Sequence, residues 1–410
     1  MSVFGAADIL LPEKDILEKW PVIACDQFTS QPEYWTSLRE TVGQAYSTLH
    51  MILPEAELGD HNDAAKEKAH ATMAEYAAAG FLKCYQDAFV YVERALSNGS
   101  VRCGIVGVVD LEHYDYHPQV KPLVRATEKT VVERIPPRRA VRQGAVLDLS
   151  HVLMLADDDT DDMIGPLTKN KENLPLLYSM ELMAGGGHIA GWLVAGRDAD
   201  ALKGRIRAYE ARMREKFPAG LGGEMVYVVG DGNHSLAAAK DCYELAKAEL
   251  PEQEAAARRY ALVELENIHH PAQQFEPIHR LVEVAEPEKL LEELEKTCGA
   301  KDGYPVHWCM ADKQGVMYLD REKAGLDLGV LQPVLDAYIE EQGGSIDYIH
   351  GDDTLRDLVA QKKALGFFLA PLAKGDFFRN VITSGVLPRK TFSMGHANEK
   401  RYYMETRHLR

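Results

Sequence analysis

Between Val226 and Lys240 the chain reads VYVVGDGNHSLAAAK. A β-branched run ends in a turn with two glycines, and an alanine-rich helical run follows. Asp231, Asn233 and His234 crowd that turn. The first turn of a helix has backbone N–H groups without intrahelical acceptors, and it carries the positive end of the macrodipole. Glycines beside it let a phosphate approach the main chain. Gly230 and Gly232 frame the corner. Asn233 or Ser235 is the expected N-cap. Asp231 stands where a phosphate-bound Mg²⁺ would be held, and His234 is suited to donate to a phosphate oxygen or take a proton. The same letters also spell an ordinary turn and cap, so spacing alone leaves both readings open. The stretch is not a P-loop, because G-x-x-x-x-G-K-[ST] is missing, and not a dinucleotide fingerprint, because the third glycine is absent.

The elements that position this corner are legible around it. DADALKGRIRAYEARMREKF (198–217) reads as a helix before it, with Asp198 or Asp200 as N-cap and Pro218 just beyond. The corner's own helix, 235–250, is interrupted or ended by Pro251, and YALVELENI (260–268) reads as the next strand. Upstream, WPVIACDQF reads as a short strand ending at Asp26, 63–83 as a helix, and AFVYVERAL with RCGIVGVVDL as a hairpin around SNGS. VLMLA (152–156) is a strand, and YSMELMAGGGHIAGWLVAG (178–196) a strand pair. Downstream, helices are expected near 286–297, 328–342 and 353–364, and LGFFLAP as a buried strand. Interleaved strands and helices give an α/β (α+β) fold with mixed sheets. Three regions are expected: 1–196 mixed α/β, 197–282 around the corner, and 283–410 as a C-terminal α/β region, packed as one integrated unit.

The chain has 410 residues, 63 acidic against 46 basic, for a formal charge of −17. An acidic surface of that size disfavours nonspecific binding to nucleic acid or anionic lipid. No nucleic-acid or membrane partner is expected, and a small-molecule substrate is. The sequence leaves the oligomeric state open. The six cysteines contain no C-x-x-C pair. With no signal-peptide pattern and no apolar run long enough to span a bilayer, a reduced, cytoplasmic protein is expected.

Other chemistry-bearing runs read more weakly. HYDYH (113–117) has two histidines four apart, but no helix is expected there to join them on a metal. DDDTDD (157–162) lacks the glycine and terminal glutamate of an EF-hand loop and reads as solvated. AGGGH (184–188) lies between strands and reads as a hairpin turn. RIPPRRAVR (134–142) holds four arginines, and its two prolines suggest an extended segment. It is either a phosphate-binding run or a surface salt-bridge cluster. No G-x-S-x-G elbow occurs, and no metal site is assigned.

In order along the chain, these pieces resemble the domain-of-unknown-function 1015 family. PVIACDQF keeps the Asp26 of a proline-rich segment that usually ends Tyr-Asp-Val. RATEKT keeps Glu128 and Thr130 of an HE-x-T-like segment, with Thr127 where histidine is usual. Asp231-Gly232-Asn233-His234-Ser235 matches the DGHHR-type signature. His279-Arg280 matches a later HR pair, and Leu387-Pro388-Arg389-Lys390-Thr391 an MP-x-KST-like segment. The family's corner is similar to that of ParB-like and sulfiredoxin-like domains, which bind a nucleotide or its phosphates on the turn. The resemblance therefore implies a central ParB/sulfiredoxin-like strand-turn-helix-strand core, with some members of this fold acting as free-serine kinases.

Carried onto this chain, the resemblance implies a nucleotide-dependent phosphotransferase acting on a small hydroxylated metabolite, free serine among the candidates. A non-catalytic nucleotide or metabolite binder is the alternative. Gly230, Gly232, Asn233 and Ser235 would cradle phosphate. Glu128, Asp231 and His234 would do the chemistry, and Arg125, His279, Arg280 and Lys390 would supply charge or contacts. A nucleoside di- or triphosphate with Mg²⁺ would be the cofactor. One departure stands out: Ser235 occupies the position of the signature's arginine, so a guanidinium for phosphate is missing from the turn itself.

Overall fold

The computed structural model describes residues 2–58, 62–117, 119–149, 151–218, 222–362, 364–388 and 390–409. It divides into two compact units. The first comprises Met1–Ala126, Thr130–Gln273 and His396–Arg410, and the second Thr127–Lys129 and Gln274–Gly395. The stretch 197–282 thus contributes 197–273 to the first unit and 274–282 to the second. The last residues, from His396 on, belong to the first.

The first unit is built on a mixed sheet with ten strands among the described residues. Across the main path the order is Val124–Ala126, Tyr227–Asp231, Val152–Ala156, Tyr260–Asn267, Val101–Asp110, Leu82–Ala95, Gly187–Val194 and Leu176–Leu182. Two pairings are parallel, 227–231 with 124–126 and 260–267 with 152–156; the rest of this path is antiparallel. The expected hairpin is present, with Val90 opposite Val106 and Ala95 opposite Val101. Central strands are buried along nearly their whole length, which explains why 101–110 and 260–267 read as continuous rather than alternating. Tyr260–Asn267 nevertheless carries Glu264 and Glu266 inward. Arg401 pairs with Glu264 at 2.8 Å and Arg102 with Glu266 at 2.8 Å.

Three expectations are corrected by packing. WPVIACDQF is not a strand but a coil with one bridge, Ile23 to Tyr402. Trp20, Val22, Ile23 and Ala24 are buried side chains of the core rather than one face of a ladder. RIPPRRAVR is not extended: Ile135–Gln143 is a helix with its prolines in the first turn, where no N–H is needed and the fixed φ suits the helix. DDDTDD is not simply solvated: Asp157 and Asp158 are buried, Asp157 bonded to Lys216 at 2.8 Å and Asp158 to Arg212 at 3.0 Å.

The second unit is a six-stranded antiparallel sheet among the described residues, in the order Gln314–Leu319, Gly299–Cys309, Leu365–Phe368, Phe275–Glu283, Ser345–His350, with Phe392–Met394 against the start of 275–283. Helices Pro287–Cys298 and Asp327–Gln342 bury Leu290, Leu294, Leu331 and Leu335 in one core, and Leu355 and Val359 of Asp352–Lys362 form another. All three helices lie close to where periodicity placed them. No helix among the described residues is long and apolar enough to cross a membrane.

Candidate functional site

The corner forms as the sequence indicates, with one change. Strand Tyr227–Asp231 pairs with 152–156, and the register shifts between Val229 and Asp231, so Gly230 is an extra residue in the ladder. Such a bulge re-aims the residues that follow it. Gly232 then takes the N-cap position of helix Asn233–Glu249 in the left-handed region, φ 81°, and no side chain caps the helix. Neither Asn233 nor Ser235 is the cap. A left-handed N-cap needs glycine: a Cβ at Gly232 would meet Val152 Cα at 3.1 Å, and the φ itself disfavours an L side chain. The helix start thus keeps donors that its own side chains do not cap, and these are the groups an anion uses. Behind it, Ala237, Ala238 and Ala239 are buried, and their small size lets the helix pack closely on Ile135–Gln143.

His234 is half-buried in the first turn. Val131 N–H donates to its Nε2 at 3.2 Å, so the neutral ring carries its proton on Nδ1. Burial lowers its pKa, and the guanidinium groups of Arg138 and Arg134 lower it further. The imidazole is therefore held neutral, with positive charge around it. That charge answers the departure at Ser235: guanidinium groups reach the neighbourhood of His234 from the helix at 135–143 and its N-cap residue rather than from the turn. Of the run's four arginines, Arg138 pairs with Glu55 at 2.5 Å, Arg139 with Asp241 at 3.5 Å and Arg142 with Asp148 at 2.6 Å. The salt-bridge reading accounts for those three. Arg134 is exposed, and its carbonyl accepts from Arg138.

Ser235 leads to a group that no sequence pattern connects. Its Oγ lies 3.2 Å from His151 Nε2, and Asp26 Oδ2 lies 3.3 Å from the same nitrogen. His151 Nδ1 is 2.7 Å from the Tyr403 hydroxyl, which also accepts from Cys25 N–H at 3.2 Å. Burial opposes charge on both partners, yet each holds the other ionised. The Asp26 carboxyl lies well below its usual range through His151, and His151 lies above its own through Asp26. Serine, histidine and aspartate meet here, but not as a nucleophilic triad. Asp26 and Ser235 share one ring nitrogen, so the aspartate does not orient the ring for a serine on the other. Cys25 alongside is not a nucleophile either, since burial and then Asp26 push its thiol up to about 12. Asp231 is 3.3 Å from Lys400 Nζ. Asp26 was legible as a motif residue; His151, Lys400 and Tyr403 had no local pattern and converge only through the fold.

The remaining sequence-derived residues are placed as follows. Arg125, in strand Val124–Ala126 of the first unit, is buried, and its guanidinium donates to the carbonyls of Pro122, Gly222, Gly223 and Glu224. Glu128, His279, Arg280 and Lys390 lie in the second unit. There Lys390 N–H donates to Glu128 Oε1 at 3.4 Å, and Leu387 N–H to Thr127 O at 2.8 Å. Arg280 is fully buried, with Nε on Gln332 at 2.7 Å and Nη2 on Lys390 O at 3.1 Å. His279 is buried between Leu369 N–H and Asp352. Arg389 lies outside the described residues. No group of three or more His, Cys, Asp or Glu suited to a metal occurs among the described residues, HYDYH and DDDTDD included.

The pattern that defines the family described as protein of unknown function (DUF1015) matches residues 6–340. The chain belongs to that family. No curated protein matches it as a relative. Among solved structures, free serine kinase in complex with AMP is similar at 12% identity and TM-score 0.37, over 72% of this chain and 89% of that one. SbnI with C-terminal truncation from Staphylococcus aureus is similar at 12% and 0.36, over 71% and 83%. A conserved hypothetical protein from Pyrococcus furiosus is similar at 10% and 0.36, over 74% and 94%.

Proposed function

We propose that this family member is a nucleotide-dependent phosphotransferase acting on a small hydroxylated metabolite, with the corner Gly230–Ser235 as its phosphate cradle. The observation that carries the reading is the start of helix Asn233–Glu249: a left-handed glycine N-cap, no capping side chain, and a neutral His234 in the first turn. Phosphoryl transfer asks for positioning and charge neutralisation more than covalent help. The backbone N–H groups of the first helical turn would hold phosphate oxygens. His234 would present its Nδ1–H to a phosphate oxygen, and the exposed Arg134 would add positive charge. Asp231 is the carboxylate at the corner. One carboxylate beside phosphates suffices for Mg²⁺, which keeps most of its waters, so a Mg²⁺–nucleotide fits these residues without a preformed metal cage. When bound, Mg²⁺ would supply charge neutralisation for the phosphates. Asp231 is the proposed base within this unit; Glu128, which the family resemblance also offers for that role, belongs to the second unit.

Calorimetric titration with ADP, ATP and CTP, each with Mg²⁺, tests the cradle. Free serine, carried over from the resemblance, is the first acceptor to assay by phosphorus NMR. Absence of binding of every nucleotide at millimolar concentration overturns the reading. A second reading, a nucleotide or metabolite binder without turnover, is favoured by Ser235, whose hydroxyl is engaged with His151 rather than offered to phosphate. Tight nucleotide binding with no product across a panel of hydroxy compounds would select it.

A further inference from the structure

Behind the corner, within the first unit, lies a cavity of about 120 Å³. Most of its wall is hydrocarbon: Met51, Leu53, Met73, Leu147, Leu149 and Ala239 contribute. Apolar cavities of roughly 150 Å³ take up benzene. A space of this size therefore suits a compact body of about four to six carbons, branched or aromatic.

The polar part of the wall is specific. Arg138 is neutralised by Glu55 at 2.5 Å and His151 by Asp26 at 3.3 Å. Arg142 differs. Its Nη1 donates to Asp148 Oδ1 at 2.6 Å, but its Nη2 is buried with no hydrogen-bond partner among the described residues. The second oxygen of Asp148 faces another guanidinium, Arg407, at 3.8 Å. One carboxylate thus stands between two arginines, and Asp8 acts on Arg407 as well. A buried donor without an acceptor is costly. A carboxylate in the cavity would relieve this, one oxygen accepting from Arg142 Nη2.

We propose that this cavity binds a small carboxylic acid with a compact hydrocarbon body, its carboxylate on Arg142. Ser235 and His151 also line the cavity, so such an acid lies next to the corner. The inference concerns binding alone and does not rest on phosphoryl transfer.

The test is calorimetric titration of the full chain with 3-methylbutanoate and benzoate, against the neutral isosteres 3-methylbutanamide and benzamide, and against acetate, which lacks the body. The acids are expected to bind with dissociation constants of about 1 mM or below, and the amides about tenfold more weakly, a charge-assisted bond being roughly twice as strong as a neutral one. Acetate should not bind at about 10 mM, since each buried CH₂ is worth about fourfold. Arg142→Lys, which keeps a charge for Asp148 but loses the guanidinium fork, should weaken the acids about tenfold. Ala239→Leu and Leu149→Phe fill the space from two different walls, and circular dichroism identifies which is folded. Either should abolish binding of acids and amides alike. The proposal is overturned if neither acid binds at about 10 mM, if acids and amides bind equally, or if a folded cavity-filling variant binds as the wild type does. ADP titrated in parallel separates the two ideas, because acid binding without ADP binding would count against the phosphate cradle only.

Discussion

Replacing Asp26 by asparagine isolates the buried pair beneath the corner. The charges are 3.3 Å apart, with His151 4% exposed and Asp26 24%. At an effective dielectric near 20, Coulomb attraction at that distance is about 5 kcal/mol. Desolvation and the exposed edge of Asp26 offset part of it, leaving an expected loss of about 2–3 kcal/mol near pH 6, the lower side of what breaking a buried pair costs. The pH dependence follows from the shifts. Asp26 is lowered, so its contribution is present above the unfolded carboxylate range and is lost as pH falls through its folded pKa. His151 is raised, so its contribution is complete below about 6.5 and is lost as pH rises through its folded pKa. In the variant, burial acts on His151 without Asp26 and drives it neutral. The gap between wild type and Asp26→Asn should therefore be widest around pH 5–6 and should narrow on both sides. Calorimetric melting from pH 3 to 9 reads it as a drop of about 5–10 °C at the widest point, for a unit of this size. A gap under about 1 °C throughout, or one that widens above pH 8, would refute the pairing.

Four further outcomes are expected. Gly232→Ala should lower stability by about 1–2 kcal/mol through its left-handed φ and the close Val152, and should weaken ADP binding at least tenfold in calorimetry. His234→Asn should leave the melting temperature within about 3 °C while lowering any phosphotransfer rate by about 100-fold. Ser235→Ala removes one hydroxyl contact to His151 and should cost about 1 kcal/mol in denaturant melts with nucleotide affinity unchanged. Glu266 is raised to about 7 by burial, against Arg102 and with Glu264. Because the folded state holds that proton more tightly, stability should fall as pH rises from about 4.5 to 7, and Glu266→Gln should flatten that slope in urea titrations.

Local chemistry makes much of this molecule legible in its sequence. The glycines and β-branched run at 226–232 dictate a strand broken at a turn. The alanines that follow dictate a helix, and Pro251 its end, because these preferences act within a few residues. The hairpin around SNGS and the helices of the second unit were legible for the same reason. What the sequence alone could not decide depends on distant packing. Pro136 and Pro137 suit an extended run and a helix start equally, and the tertiary setting selected the helix. Trp20–Ala24 is apolar enough for a strand, but its neighbours in the core, not a ladder, absorb it. Asp157 and Asp158 read as solvated until Lys216 and Arg212 were brought to them. The site divides along the same line. The letters Asp231-Gly232-Asn233-His234 marked the corner, but its cap fell to Gly232 because a backbone approach to Val152 leaves no room for a side chain. The group Asp26, His151, Ser235 and Tyr403 spans most of the chain. Sequence spacing carries no information about such a set, since only the closing of the sheet and core puts its members within hydrogen-bonding distance.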